Sequence, residues 1–593
     1  MRILVLEDAH STRELLKARL VKEGHKVDAV DNGHQGFLLA TSSTFDVILT
    51  DINMPRWDGF KFIEAIEVIC PHLPLIISSS LANKEDIERL SSHKNVLQIL
   101  PKPIDFKKLF AVLKTIPVYT HYNINKMARI VCTIGPACTS LDILGKMILA
   151  GMDVARLNFS HGTYDQHEIA LDLIRQAEKN WDKPVAVLQD LCGPKIRTGL
   201  MEGGSIVLVV GKSLVVQAEE ISGTVDCIST ITPQILGDLK VGEPILLDDG
   251  LLELRVTQTG SEKVVCEVVR GGILKSSKGM NLPATDLSLP SITEKDWRDL
   301  DWGLAHSVDY VALSFVRSPQ EIIELKEYIK KNGKRDIRII AKIEKPEAVK
   351  HIKEIVRVSD AIMVARGDMG VELPAARVPR IQQEIINLCW KMNKPVITAT
   401  QMLDSMTYNS RPTRAEVTDV SVAIKEGTDA VMLSQETATG TDPVNVVRTM
   451  AAIICEEERH SAMSVEQYRD MLDDSSTNEI VTAAAGLTST SATMLFDPKG
   501  EIYPTLSKWN RRVLSILVTH STHVARHASL FKNIVPLIIR EGLDQESMLV
   551  KALKMGREAG YLHEGDTLAV VYGGDIAGCK VEQVGALRLV VVD

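Results

Sequence analysis

The chain contains no Cys-x-x-Cys pair, and its nine cysteines are scattered and odd in number. That argues against a disulfide framework or zinc site, and it fits reduced thiols in a cytoplasm. A basic excess is also missing: the net charge of -9 speaks against a nucleic-acid binder. No apolar run approaches the length a bilayer requires. The opening run from Ile3 meets Glu7 and Asp8 after only four residues, too soon for a secretory signal. The expectation is a cytoplasmic protein with neither nucleic-acid nor membrane partners.

What is present is an ordinary globular balance, 45% hydrophobic and 24% charged, over 593 residues. At about 150 residues per domain that length implies roughly four domains. Residues 1–116 alternate short apolar runs (3–6, 27–30, 47–50, 75–78 and 96–100) with helix-period stretches such as 12–22 and 105–114. This predicts a flavodoxin-like, doubly wound α/β domain, with ligands beyond the carboxyl ends of its strands. The following stretch has no period and contains Pro117, so 117–127 reads as a linker. From 128 to about 460 eight strand candidates alternate with helical stretches: 130–134, 154–159, 185–189, 308–315, 337–343, 361–365, 396–399 and 430–433. Eight such units predict a closed (α/β)8 TIM barrel over 128–191 and 291–460, with its site at the C-terminal rim. Between them, 192–290 turns to short Val-rich strands and Gly turns, an inserted β-barrel domain placed to act as a lid. Further βα units over 477–593 predict a C-terminal α/β domain.

Polar residues gather at the predicted barrel strand ends: Arg156, Asn158, Ser160, Asp190, Lys342, Glu344, Arg366, Asp368, Thr400 and Ser434. Any one alone is more often a helix cap or a rim salt bridge, but together at one rim they describe a site. Glu344 and Asp368 are hard oxygen ligands suited to magnesium. Lys342 and Arg156 suit negative charge spreading over a phosphoryl group in flight. Thr400 and Ser434 are weak acid/base groups fit to hold a water or relay a proton. At the N-terminal sheet, Glu7, Asp8, Asp51 and Lys102 also fall at strand ends. Three close carboxylates repel unless a magnesium ion joins them, and a metal beside a lysine orients a phosphoryl group onto one carboxylate.

From Ala128 to the C-terminus the sequence resembles the pyruvate kinase family. The resemblance rests on Thr133-Ile-Gly-Pro136, Ala155-Arg-Leu-Asn-Phe-Ser-His-Gly162, Gly193-Pro-Lys-Ile-Arg-Thr-Gly199, Lys278-Gly-Met-Asn-Leu-Pro283, Ala341-Lys-Ile-Glu344, the run from Met363 through Arg366-Gly-Asp368 to Pro374, Ala399-Thr-Gln-Met-Leu403 and Arg411-Pro-Thr-Arg-Ala-Glu416. It implies a homotetramer that converts phosphoenolpyruvate and ADP to pyruvate and ATP with Mg2+ or Mn2+. By matching position, Lys342 stabilises the phosphoryl group and the enolate, Glu344 and Asp368 hold the metal, and Arg156 meets the phosphoryl group. Gly367 and Thr400 contact substrate, and Thr400 with Ser434 serves the proton that ends on the pyruvate methyl. Thr133, Pro136, His161, Arg197 and Lys278 face nucleotide. Asn158, Ser160 and Asp190 match the potassium-ligand positions, but Lys195 stands where potassium-dependent members carry Glu, which predicts that K+ is not required. Where many members carry a Ser/Thr- and Gly-rich sugar-phosphate loop, this chain has Asp497-Pro-Lys-Gly-Glu501, a poor anion nest.

Asp51-Ile-Asn-Met-Pro-Arg-Trp-Asp-Gly59 and Lys102-Pro103 resemble the receiver domain of bacterial response regulators over 1–116. This implies that Asp51 is the phosphoacceptor, that Glu7, Asp8 and Asp51 hold magnesium, and that Ser79 and Lys102 form the switch. Ile99 replaces the switch aromatic many receivers carry. The implied partner is a sensor histidine kinase or phosphotransfer protein. The joint expectation is a glycolytic enzyme regulated through an aspartate-phosphorylated receiver. The rival reading is a catalytically weak, phosphoenolpyruvate-sensing scaffold of a two-component system, against which the intact Lys342, Glu344, Asp368 and Thr400 argue.

Overall fold

The computed structural model describes residues 1–42, 45–70, 73–80, 84–93, 95–114, 116, 126–181, 183–332, 336–460, 490–509, 513–539, 544–558, 561–562, 564–572 and 586–592. Most of the expected linker, at 117–125, and the first part of the expected C-terminal domain lie outside these residues.

The N-terminal strands form one five-stranded parallel sheet in the order Lys26–Val30, Arg2–Leu6, Val47–Asp51, Leu75–Ser79, Val96–Pro101. The strands Val47–Asp51 and Leu75–Ser79 are buried at every position, as a strand covered on both faces must be. Parallel strands all end on one edge, so Glu7, Asp51, Ser79 and Lys102 arrive together. The helix Gly59–Ile69 is capped by Asp58, whose side chain accepts from Lys61 N, and it buries Phe62, Ile63 and Ile66.

The eight predicted barrel strands close into a parallel barrel: Arg129–Thr133, Val154–Asn158, Ala186–Asp190, Tyr310–Leu313, Arg338–Ile343, Ala361–Ala365, Val396–Ala399 and Ala430–Leu433. Alternate residues such as Val154, Leu188, Ala312, Ile340 and Met363 fill the inside, while their neighbours pack outward on the helices. Between the third and fourth strands stands a six-stranded sheet with a two-stranded ribbon, Ser205–Leu208 with Gly272–Lys275, around its own apolar core. It reaches the barrel rim through Asn281 Nδ2, which donates to Glu372 Oε1 at 2.8 Å.

The C-terminal sheet runs Ile534–Ile538, Leu514–Thr519, Ala492–Phe496, Thr567–Tyr572, Ala586–Val591, with the last strand antiparallel at the edge. It is fastened under the barrel, at the ends opposite the rim. Arg129 Nε donates to Phe531 O at 2.8 Å, Tyr310 Oη donates to His527 O at 2.7 Å, and Lys508 pairs with Asp429 in full burial. The N-terminal domain lies against the barrel flank: Trp57 meets Trp181 edge-on at 4.9 Å between ring centroids, and Lys61 Nζ stands over both indoles at 4.7 and 4.9 Å. Among the described residues no helix is long and apolar enough to cross a membrane.

Candidate active site and phosphoacceptor site

Register brings the barrel residues into contact. Asn158 pairs with Asp190 across neighbouring strands, and Lys342 lies near the end of the strand Arg338–Ile343. The Asp190 carboxylate is the hub. Its Oδ2 accepts from Arg156 Nε at 2.7 Å, and its Oδ1 lies 3.3 Å from Lys342 Nζ. Arg156 Nη1 also donates to Thr133 Oγ1 at 2.8 Å, whose hydroxyl donates to Leu433 O at 2.9 Å. Lys342 Nζ donates to Ser314 Oγ at 2.7 Å and lies 3.2 Å from Glu344 Oε1. Burial alone would lower the Lys342 pKa, but Asp190 and Glu344 outweigh it and hold the ammonium well above its ordinary range. Burial alone would raise Asp190, yet Lys342 and Arg156 hold it below the usual carboxylate range. Two fixed cations thus converge on one dry spot.

Glu344 is fully buried. Its Oε2 accepts from Phe315 N at 2.7 Å, and its Oε1 accepts no hydrogen bond. Burial, with the charge of nearby Asp368, pushes its pKa up to about 7 against the pull of Lys342. A buried carboxylate oxygen that accepts no hydrogen bond though the Lys342 ammonium lies 3.2 Å away, with a second carboxylate nearby, Asp368 in the first turn of the helix Arg366–Glu372, is a donor set that fits a hard divalent cation.

Thr400 holds a left-handed backbone at φ 71°, a strained choice for a β-branched residue. Its Oγ1 accepts from Gly367 N at 2.7 Å and donates to Ala399 O at 2.6 Å. The bend is braced by Arg366, which donates to Thr400 O at 2.8 Å and makes two bonds to Asp419 at 2.6 Å. Arg366 is therefore a positioning group. Ser434 stands at the N-cap position of a short helix without a side-chain capping bond, its N–H donating to Glu436 Oε2 at 2.6 Å.

A small cleft of about 60 Å3 between lid and rim is lined by Lys195, Asp249, Phe315, Arg317, Lys345 and Asp368. His161 faces this side: burial first, then the cations Lys195, Arg197 and Arg156, push its pKa down. Arg197 and Lys278 sit on adjoining lid segments, where Thr198 N donates to Lys278 O at 2.9 Å and Lys278 Nζ pairs with Asp248 at 2.7 Å. Pro136 is exposed. Asn158 Oδ1 accepts from Ser160 N at 3.2 Å, and the third residue of that trio, Asp190, already faces two cations.

At the N-terminal sheet Lys102 Nζ donates to Asp51 Oδ2 at 2.7 Å and to Glu7 Oε2 at 2.8 Å. Glu7, Asp8 and Asp51 each bring an oxygen within 4.8 Å of the others, a set that fits one cation. Ser79 is buried at the end of the neighbouring strand, and Ile99 is half-buried in the core. In the C-terminal domain, Asp497 shows why its loop is a poor nest. Four backbone amides do converge there, but on the Asp497 carboxylate itself: Gly500 N and Glu501 N at 2.9 and 3.1 Å, Ile502 N and Tyr503 N at 2.8 and 3.0 Å.

Sequence reasoning missed Ser314, Phe315 and Asp419, which hold Lys342, Glu344 and Arg366. The first two close a predicted strand end, which was a usable signal; Asp419 is a helix residue with none.

Three family models match. Pyruvate kinase, barrel domain, covers residues 125–447; pyruvate kinase, alpha/beta domain, covers 476–582; and response regulator receiver domain covers 3–114. Pyruvate kinases of Staphylococcus aureus strains MRSA252 and USA300 are each 42% identical over 460 residues, 76% of this chain and 78% of theirs. The crystal structure of a pyruvate kinase from Cryptosporidium parvum superposes with a TM-score of 0.73 at 32% identity, covering 79% of this chain and 96% of that one.

Proposed function

This chain belongs to the pyruvate kinase family of enzymes and carries a response regulator receiver domain, and we propose that it makes pyruvate and ATP from phosphoenolpyruvate and ADP under the control of Asp51 phosphorylation. The observation that carries the catalytic reading is the Asp190 carboxylate holding Arg156 and Lys342 side by side in a buried rim. In the reaction the ester P–O bond of phosphoenolpyruvate breaks, a β-phosphate oxygen of ADP bonds the phosphorus, and the enolate left behind takes a proton on carbon. Charge builds on the phosphoryl oxygens and on the enolate oxygen. Arg156 and Lys342 stand fixed against both, so little reorganisation is needed as that charge appears. Glu344 and Asp368 hold magnesium or manganese, which when bound neutralises phosphate and carboxylate charge. Thr400, kept in its strained bend by Arg366, serves the proton with Ser434. Gly367 and Asp368 complete the substrate contacts, and Thr133, Pro136, His161, Arg197 and Lys278 receive the nucleotide. Lys195 supplies the positive charge that a potassium ion brings elsewhere; its place in the lid–rim cleft beside Asp368, and its effect on His161, support this. A cytoplasmic homotetramer is part of the same reading. The test is pyruvate formation from phosphoenolpyruvate and ADP, coupled to NADH oxidation. Absence of product from the folded chain refutes it.

The regulatory reading rests on continuity between phosphoacceptor and barrel. Asp51 Oδ1 accepts from Ile52 N at 2.6 Å, and Ile52 O accepts from Gly59 N at 2.7 Å, closing the loop that carries Trp57. Arg56 in that loop is left-handed at φ 64°. A phosphoryl group on Asp51, placed by a histidine kinase or phosphotransfer protein, adds charge and acceptors beside Lys102 and Ser79 and shifts this loop. Trp57 passes the shift to Trp181, the last residue of the helix Tyr164–Trp181. At 18 residues that helix spans about 27 Å, and near its other end His167 bonds His161 O at 3.0 Å. The test compares phosphoenolpyruvate saturation with and without a small-molecule phosphodonor, with Asp51→Asn as control. Identical curves, with phosphorylation confirmed by mass, refute regulation.

A further inference from the structure

Two histidines of the C-terminal domain and one aspartate of the barrel converge far from either phosphoryl site. His523 and His527 lie one turn apart on the helix Thr522–Ala528, with ring centroids 4.1 Å apart. Asp336 precedes the barrel strand Arg338–Ile343. One ring nitrogen from each histidine and a carboxylate oxygen of Asp336 all lie within 4.8 Å of one another. We propose that Asp336, His523 and His527 form a site for a divalent transition metal of the zinc class, which joins the barrel to the C-terminal domain.

The orientation of His527 and the unpartnered nitrogen of His523 support the assignment. His527 is buried, and its Nε2 lies 3.0 Å from Asp309 O. Donation to that carbonyl fixes the tautomer and leaves the Nδ1 lone pair for a ligand. His523 Nδ1 lies 3.9 Å from Asp309 Oδ1, beyond hydrogen-bond range, while its Nε2 is buried and makes no hydrogen bond. The His527 ring is oriented as metal-binding imidazoles are, by a carbonyl on its other nitrogen. The helix bearing them is itself fixed to the barrel by Tyr310 Oη donating to His527 O.

Two imidazoles with one carboxylate favour zinc, cobalt or nickel over magnesium, which prefers oxygen alone. Arg338 Nε stands 3.9 Å from the Asp336 carboxylate, and its guanidinium is held at 2.8 Å by Tyr503 Oη. A bound ion shares that carboxylate with the arginine, which limits affinity but leaves the second oxygen. Because the ligands come from two domains, metal binding stabilises their docking by mass action.

The experiment uses the full chain in excess Mg2+, which fills the oxygen-only sites. Co2+ is the probe, followed by visible absorption and by equilibrium dialysis, with Zn2+ as competitor. Asp336→Asn changes a side chain that is 74% exposed, so the fold is spared; His523→Gln is the second variant. Wild type is expected to bind one equivalent about tenfold or more tighter than either variant, with a nitrogen-ligand spectrum that Zn2+ abolishes. Equal stoichiometry and identical spectra for all three chains overturn the site.

Discussion

Trp181→Ala should disconnect the receiver from the enzyme while leaving the enzyme intact. Trp181 touches no substrate group, so basal turnover is expected to stay near wild type. What it loses is the edge-on contact with Trp57 and half of the sandwich around Lys61, whose Nζ also donates to Asn180 O. An aromatic pair of this geometry contributes about 0.5–1.5 kcal/mol beyond area burial, and a cation over an indole at a partly exposed site about 0.5–1 kcal/mol. The sum, about 1–2.5 kcal/mol, is a factor of roughly 5–70 in the docking equilibrium. If Asp51 phosphorylation acts through docking, that is enough to abolish most of its effect. The assay is initial rate against phosphoenolpyruvate, with and without a phosphodonor. Trp57→Ala provides the check from the receiver side, and the double variant should respond no differently from either single one. A full response to phosphorylation in Trp181→Ala would refute the route, and with it the claim that this contact carries the signal.

The other predictions concern the barrel. Lys342→Met should lower turnover by about 10²–10³-fold or more with an unchanged circular dichroism spectrum; near wild-type turnover would remove Lys342 from the chemistry. In tetramethylammonium buffer, added potassium chloride should leave the initial rate unchanged, and Lys195→Glu should create a potassium requirement; strong stimulation of the wild type would contradict the role given to Lys195. Asp153→Asn should cost about 3–5 kcal/mol at neutral pH, because Asp153 is buried and pairs with Lys126, Lys183 at 3.5 Å and Arg129 at 3.6 Å. Burial alone would raise the Asp153 pKa, but those cations hold it below the usual carboxylate range. Its stabilisation is therefore present above the unfolded value near 4 and is lost as pH falls. Denaturant midpoints of wild type and variant should converge in acid and separate at pH 7; a constant gap would refute the linkage.

The barrel strands were legible to within a residue or two because a strand buried on both faces must be apolar throughout, and only the residue where it leaves the core is free to be polar. That is why Asp190, Lys342 and Thr400 stood out, while Arg156 is a buried exception within its strand. The groups that hold them did not. Ser314 and Lys342 are 28 residues apart, and Arg366 and Asp419 are 53 apart; no local period records a pairing made only by barrel closure. The receiver docking face was equally silent, since Trp57 sits inside the phosphoacceptor motif and Trp181 ends an ordinary amphipathic helix. Asp497 falls between these cases. Its carboxylate marked a loop unfit for phosphate, but only the fold reveals that it occupies four amides an incoming anion would need. The same logic runs through Lys195 on the proposed reading: in both places a side chain stands where a diffusible ion is bound elsewhere. A charge fixed to the chain does not respond to concentration, so on that reading neither position reports on metabolite or salt. The adjustable position on the same reading is Asp51, whose charge changes when a phosphoryl group is placed on it. On the proposed reading, regulation by phosphorylation and the loss of ion-responsive sites are two consequences of one arrangement of charges.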